Sequence, residues 1–159
     1  MATGFASMHF IESLSQLFRE HHRRVLTAAY RITGNMADAE DVAQSVFLRL
    51  AGNDQSVENA GSYLYRAAIN GALDLLRRRK TAGSEPLERA ADVPSAGWGS
   101  SPEAEASGRQ LGSLLRLAIS ELPERAAEMF TLRYLEEMDN SEVAALISSL
   151  EEARLLTGE

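Results

Sequence analysis

Two clusters of side chains carry the chemistry that this sequence could do. Arg77-Arg78-Arg79-Lys80 is a run of four cations closing a helical pattern, with Tyr63 and Tyr65 upstream of it. Cations beside flat rings suit a nucleic-acid backbone with bases stacked nearby. The same cations equally suit the negative end of a helix. The second cluster is Asp38-Ala-Glu-Asp-Val-Ala-Gln-Ser-Val-Phe47. On a helix, Asp38, Asp41 and Ser45 fall near one face and Glu40 and Gln44 on an adjacent one, backed by Val42, Val46 and Phe47. This acidic ridge reads either as solvated surface near a positive helix end or as a docking face for a basic partner helix. Asn70-Gly71 breaks a local rule, because glycine inside a helix costs about 1 kcal/mol against alanine. Such violations mark functional positions or close packing.

Other chemistries find little support. Cysteine is absent, which excludes disulfides, thiolate metal sites and a cysteine nucleophile. His9, His21 and His22 are the only histidines. Adjacent His21 and His22 point to different helix faces, so they do not form a two-ligand pair. Asp38, Glu40 and Asp41 offer a metal no cage. There is no Walker A loop, GxGxxG or nucleophile elbow. An enzyme is not expected, nor is a metal or any other cofactor.

The elements that must position the two clusters read as helices throughout, with no strand pattern and no repeat. Ile11, Leu14, Phe18, Val25, Ala29 and Ile32 follow a three-to-four spacing and predict one buried helical stripe. Gly34 is placed to end that helix in a left-handed conformation. Asn35 is placed to cap the next helix, with Asp38 three positions on. That helix is expected to stop near Gly52-Asn53-Asp54 and to be followed by a short loop, Asn53 to Gly61. A third helix is predicted over about 62–80, with Leu64, Ala67, Ala68, Gly71, Ala72 and Leu75 on its apolar face. Residues 81–107, rich in Gly, Pro and Ser, read as a flexible linker that carries Trp98. Beyond it, Leu111, Leu114, Leu115 and Ala118 predict a helical stripe. Pro123 suits the first position of the next helix, which continues through Met129, Phe130 and Tyr134. Asn140 or Ser141 is expected to cap a short helix through Val143 and Ile147. Leu150, Ala153, Leu155 and Leu156 suit a further short amphipathic helix. The fold class is therefore all-α: two small helical modules on a tether.

The chain has 159 residues, 45% hydrophobic and 25% charged, in the range of folded domains. It has neither an apolar run long enough to span a bilayer nor a secretory signal pattern, so a cytoplasmic protein is expected. The net charge of −7 is unevenly spread. Residues 1–80 carry ten Lys/Arg against eight Asp/Glu, a balance of +2, and residues 81–159 carry six against fifteen, a balance of −9. Tight binding of the free chain to nucleic acid is disfavoured by the acidic total, while the basic cluster could act locally.

In order along the chain, these segments resemble the extracytoplasmic-function (ECF, group 4) sigma factors of bacterial RNA polymerase, over roughly residues 10–147. Asp38 to Phe47 resembles the region 2 helix that binds the clamp helices of the polymerase. Tyr63-Leu-Tyr-Arg-Ala-Ala-Ile-Asn70, then Asp74 and Arg77-Arg-Arg79, looks like the promoter-melting and −10-reading segment. Leu122-Pro123, Phe130, Leu132-Arg133 and Glu142-Val-Ala144 are similar to the start of region 4. The resemblance implies a region 2 module over 8–80, the linker over 81–107 and a region 4 module over 108–159. It implies a transcription initiation factor that gives the polymerase promoter specificity. Asp38, Glu40, Asp41, Gln44 and Phe47 would form the polymerase-binding surface. Asn59, Tyr63, Tyr65, Arg66, Asn70, Arg77, Arg78, Arg79 and Lys80 would meet promoter DNA within the holoenzyme. The loop 53–61 would capture a flipped base. Core RNA polymerase, promoter DNA and an anti-sigma factor would be the partners. Tyr63 stands where many relatives have tryptophan, and tyrosine also offers a flat amphipathic ring.

The family places a basic recognition helix after the segment ending at Ile147. Ser148 to Glu159 instead has one cation, Arg154, against Glu151, Glu152 and Glu159. Region 4 is thus expected to be incomplete or diverged, without −35 reading. That leaves an alternative function: an interaction protein that competes for polymerase or an anti-sigma factor. A compact placement of the modules would hide the acidic ridge or the basic helix end, and an open one would expose both.

Overall fold

The computed structural model describes residues 2–52, 59–82 and 102–157, and every element among these is helical. Helix α1 spans Ala2–Thr33, α2 Met36–Ala51 and α3 Ala60–Thr81. Helix α4 spans Pro102–Glu121 and α5 Glu124–Phe130, which runs on into a π-helical turn at Thr131–Leu135. Helix α6 spans Asn140–Thr157. No described helix is long and apolar enough to cross a membrane.

The α1–α2 corner follows from two residues. Gly34 adopts φ +66° and donates its N–H to the Tyr30 carbonyl at 2.8 Å, closing α1 where a side chain would be strained. Asn35 is extended, and its side chain accepts from the Asp38 N–H at 3.1 Å. That satisfies one of the orphan donors at the start of α2. The two helices therefore fold back on each other, and α3 packs across both.

Val25, Ala28, Ala29 and Ile32 of α1, Val42, Ala43 and Val46 of α2, and Leu64, Ala68, Ile69, Ala72 and Leu73 of α3 fill the core of this first module. Each large apolar side chain buried here contributes about 1.5–3 kcal/mol. Gly71 belongs to the same packing: a Cβ there would lie 3.3 Å from Val42 Cγ1. Close approach of α2 and α3 explains this glycine.

The first half of the predicted α1 stripe is different. Ile11 and Phe18 are exposed, while Val25, Ala29 and Ile32 are buried. The upstream apolar residues Ile11, Leu14 and Phe18 instead line a groove shared with α2.

The second module departs further from its sequence pattern. Pro102 opens α4 within the stretch expected as linker, with Glu103 and Glu105 in its first turn, where the helix dipole favours anions. Trp98 lies outside the described residues. Leu111, Leu114 and Leu115 face outward, and the buried side of α4 is Ser113 and Ile119 with Arg116 partly covered. Pro123 stands just before α5 as its cap residue, one position earlier than expected.

Asp139, and neither Asn140 nor Ser141, caps α6. The Glu142 N–H donates to Asp139 Oδ1 at 2.8 Å and the Asp139 N–H donates to Glu142 Oε2 at 2.9 Å. This is a reciprocal capping box. Helix α6 then runs without a break past Ile147 to Thr157, where two short helices were expected. The side chains of Leu150, Ala153, Leu155 and Leu156, and so the amphipathic face expected there, lie outside the described residues.

The two modules are in contact. Helix α4 lies along α3, and Ile119, Ala127 and Leu132 join the core of the first module.

Candidate functional site

Two surfaces emerge, one between α1 and α2 and one along α3. The first is a groove between α1 and α2. Ile11, Leu14 and Phe18 line one wall and Phe47 and Leu48 the other. The Phe18 and Phe47 rings lie 5.0 Å apart, and His22 stacks on Phe18 at 4.2 Å. His21, on the other side of α1, packs against Gly61 of α3, where a Cβ would lie 2.7 Å from its ring. The two histidines do diverge, as their spacing required.

Glu40 and Gln44 are exposed along the α2 side of the groove, and Asp41 is exposed next to them in the chain. Asp38 and Phe47 are not: they are 5% and 7% exposed. The exposed acidic ridge is thus narrower than the sequence implied. Phe47 is buried within the α2 wall of the groove, against Phe18. Asp38 turns inward, and both of its carboxylate oxygens accept from the two terminal nitrogens of Arg79 on α3. A bidentate arginine–carboxylate pair is the strongest form of this contact.

The second surface is the polar side of α3. Arg78 is exposed at its end. Arg77 reaches back to Asp74 at 3.4 Å, and Lys80 pairs with Glu121 of α4 at 3.4 Å. Asn59 is exposed just before α3 in a left-handed conformation, φ 62°. Tyr63 is half-buried. Residues 53–58, the greater part of the expected base-capturing loop, lie outside the described residues.

Tyr65 is not available for stacking. It is 4% exposed, with the Arg24 guanidinium 4.1 Å above its ring centroid. Burial, and then the nearby Glu136 carboxylate, push its phenol up to about 12.

Arg66 and Asn70 project from the middle of α3 into the second module. Both meet Glu128 of α5, which is only 5% exposed. Arg66 Nε pairs with Glu128 Oε1 and a terminal nitrogen lies 3.2 Å from Oε2; Asn70 Nδ2 donates to Oε1 at 3.5 Å. Alongside, Arg31 of α1 pairs with the buried Glu136 carboxylate. Arg116 of α4 donates from Nε to the Ile32 carbonyl at 3.1 Å and lies across Gly34, where a Cβ would collide with the guanidinium at 2.2 Å. Burial lowers the pKa of Arg116.

Glu128, Glu136 and Arg116 are absent from the sequence reading. Their partners are 62, 105 and 84 residues away in the chain, so no local spacing could reveal them. Among the described residues no group of three His, Cys, Asp or Glu could hold a metal ion.

Comparison with known proteins agrees with this layout. Residues 17–82 match the family model for Sigma-70 region 2, and residues 113–148 that for Sigma-70, region 4. The chain is similar to the ECF RNA polymerase sigma factor SigE of Mycolicibacterium smegmatis, 32% identical over 138 residues, covering 85% of this chain and 53% of that protein. It is also similar to the ECF RNA polymerase sigma factor SigW of Bacillus subtilis, 26% identical over 136 residues, covering 79% of this chain and 72% of the relative. To SigM of Mycobacterium tuberculosis it is 37% identical over 79 residues, 48% of this chain and 40% of the relative. The chain thus spans about half the length of SigE.

Proposed function

The chain belongs to the extracytoplasmic-function sigma factors, and from that premise we propose that it is a transcription initiation factor, giving bacterial RNA polymerase its promoter specificity in the cytoplasm. The observation that carries this reading is the division of surfaces within the segment matching region 2. An apolar groove with acidic residues beside it lies between α1 and α2, and the basic, polar residues are carried by α3.

Each surface suits one partner. Glu40, Asp41 and Gln44 beside Phe18, Phe47 and Leu48 offer a polymerase helix an apolar seat with charged edges. Asn59, Tyr63, Arg66, Asn70, Arg77 and Arg78 would meet the −10 element, with the loop 53–61 holding a flipped base. Extruding a base costs a few kcal/mol, so docking on the polymerase must help hold the strands apart. The acidic total keeps the free chain from binding DNA at random. An anti-sigma factor is a further proposed partner. The competitor reading is not favoured, because segments matching both region 2 and region 4 are present.

The test is titration of the chain against core RNA polymerase by fluorescence anisotropy, followed by promoter opening on the same complex. Saturable binding that another sigma factor competes away is expected. Asp41→Arg is expected to weaken it at least about tenfold, or about 1.4 kcal/mol. Unchanged affinity in that variant would refute the assignment of the acidic rim.

A further inference from the structure

Helix α6 runs straight through the point at which a helix-turn-helix would bend. In that motif a turn of three or four residues, often containing glycine, joins a first helix to a second one that enters the major groove. Residues 140–147 hold the place of the first helix, at the end of the segment matching Sigma-70, region 4. The turn would then fall on Ser148, Ser149 and Leu150. All three are helical, and Ser149 Oγ donates to the Leu146 carbonyl at 3.0 Å, a bond made along the helix. Neither glycine nor proline occurs between 140 and 157. Four residues past Ile147, the Glu151 carboxylate accepts from Arg125 of α5 at 2.7 Å, a surface pair that fits the straight course. From Ile147 to Thr157 the helix advances about 15 Å. A helix placed after it would therefore stand that far from the bend.

The charge points the same way. A helix that enters the major groove needs cations against the phosphates beside it. Between 140 and 157 the sequence carries Glu142, Glu151 and Glu152 against one cation, Arg154. Two arginines of the preceding helices are engaged within the chain: Arg116 donates to the Ile32 carbonyl, and Arg125 is held by Glu151.

We propose that this chain selects promoters through the −10 element alone, the second module making no base contact at the −35 element. This rests on the initiation reading given above and names the class of promoter it serves. Discrimination then falls to α3, whose Tyr63, Asn70 and exposed Arg78 meet the opened strand. Sequence upstream of the −10 element carries no information for the complex.

The experiment uses the full native chain bound to core RNA polymerase, offered a pool of DNA duplexes randomised across the −35 and −10 windows. Duplexes that stay bound through a heparin challenge are sequenced. Enrichment in the −10 window and none in the −35 window is expected. The −35 window of one enriched duplex is then replaced by an unrelated sequence, which is expected to change affinity and strand opening less than about twofold. Replacing its −10 window is expected to lower both at least tenfold. Enrichment in the −35 window, or a tenfold loss when that window is replaced, overturns the proposal and leaves the initiation reading intact. Enrichment in neither window overturns the initiation reading, and the proposal with it.

Discussion

Arg79→Ala should destabilise the first module by far more than its place in a run of surface cations suggests. Both Asp38 oxygens are bound by the Arg79 guanidinium, and the Asp38 side chain is 7% exposed against 22% for Arg79. Removing one partner of a buried ion pair costs about 3–5 kcal/mol, because the other charge stays buried without that partner. Two features of this site reduce that figure. Asp38 sits three residues after the Asn35 cap, where the positive end of α2 favours an anion by about 0.3–1 kcal/mol. The guanidinium end is also partly wet, so water can follow when it is removed. The expected loss is on the order of 2–3 kcal/mol. In a chain of this size that lowers the melting temperature by roughly 4–12 °C. Urea unfolding followed by circular dichroism measures it, with Arg78→Ala as the control. Arg78 is exposed, and its loss should stay within about 0.5 kcal/mol. Asp38→Ala/Arg79→Ala should cost less than the two single changes summed, since the two side chains interact directly. If Arg79→Ala proves no worse than Arg78→Ala, the pair is a loose surface contact and the argument from burial is wrong.

Two further tests bear on packing and pH. Gly71→Val should destabilise by about 1–3 kcal/mol in the same urea assay, because the space facing Val42 has no room for a branched side chain. Tyr65 should ionise near pH 12 in place of its ordinary 10.0, visible as a late phase in phenolate absorbance. Between about pH 10 and 12 the folded chain holds a proton that the unfolded chain has lost, so the stability present below pH 10 falls as pH rises. Tyr65→Phe should remove that part of the slope.

How much could be read in advance depended on how local the determinant was. Gly34 and Asn35 announce the α1–α2 corner through their own backbone preferences. Gly71 declares itself by being wrong for a helix. The Asp139–Glu142 box is equally legible, an Asp three positions before a Glu at a helix start, although Asn140 and Ser141 are cap-forming types as well. The buried face of α4 was not legible. Periodicity finds the most apolar stripe, here Leu111, Leu114 and Leu115, whereas the face that packs is the one from which Arg116 reaches the Ile32 carbonyl of the first module. The inward turn of Asp38 and Tyr65 has the same origin. Each is polar by type, and each is buried because an arginine, Arg79 or Arg24, comes from another helix to meet it.

The outward leucines of α4 have a consequence for handling the protein. At neutral pH the net charge of −7 keeps molecules apart despite this apolar strip. Near the isoelectric point of about 5.0 that repulsion vanishes while the strip remains. Self-association and precipitation should then set in as the buffer is acidified toward that value, and Leu111→Glu/Leu114→Glu should widen the soluble range.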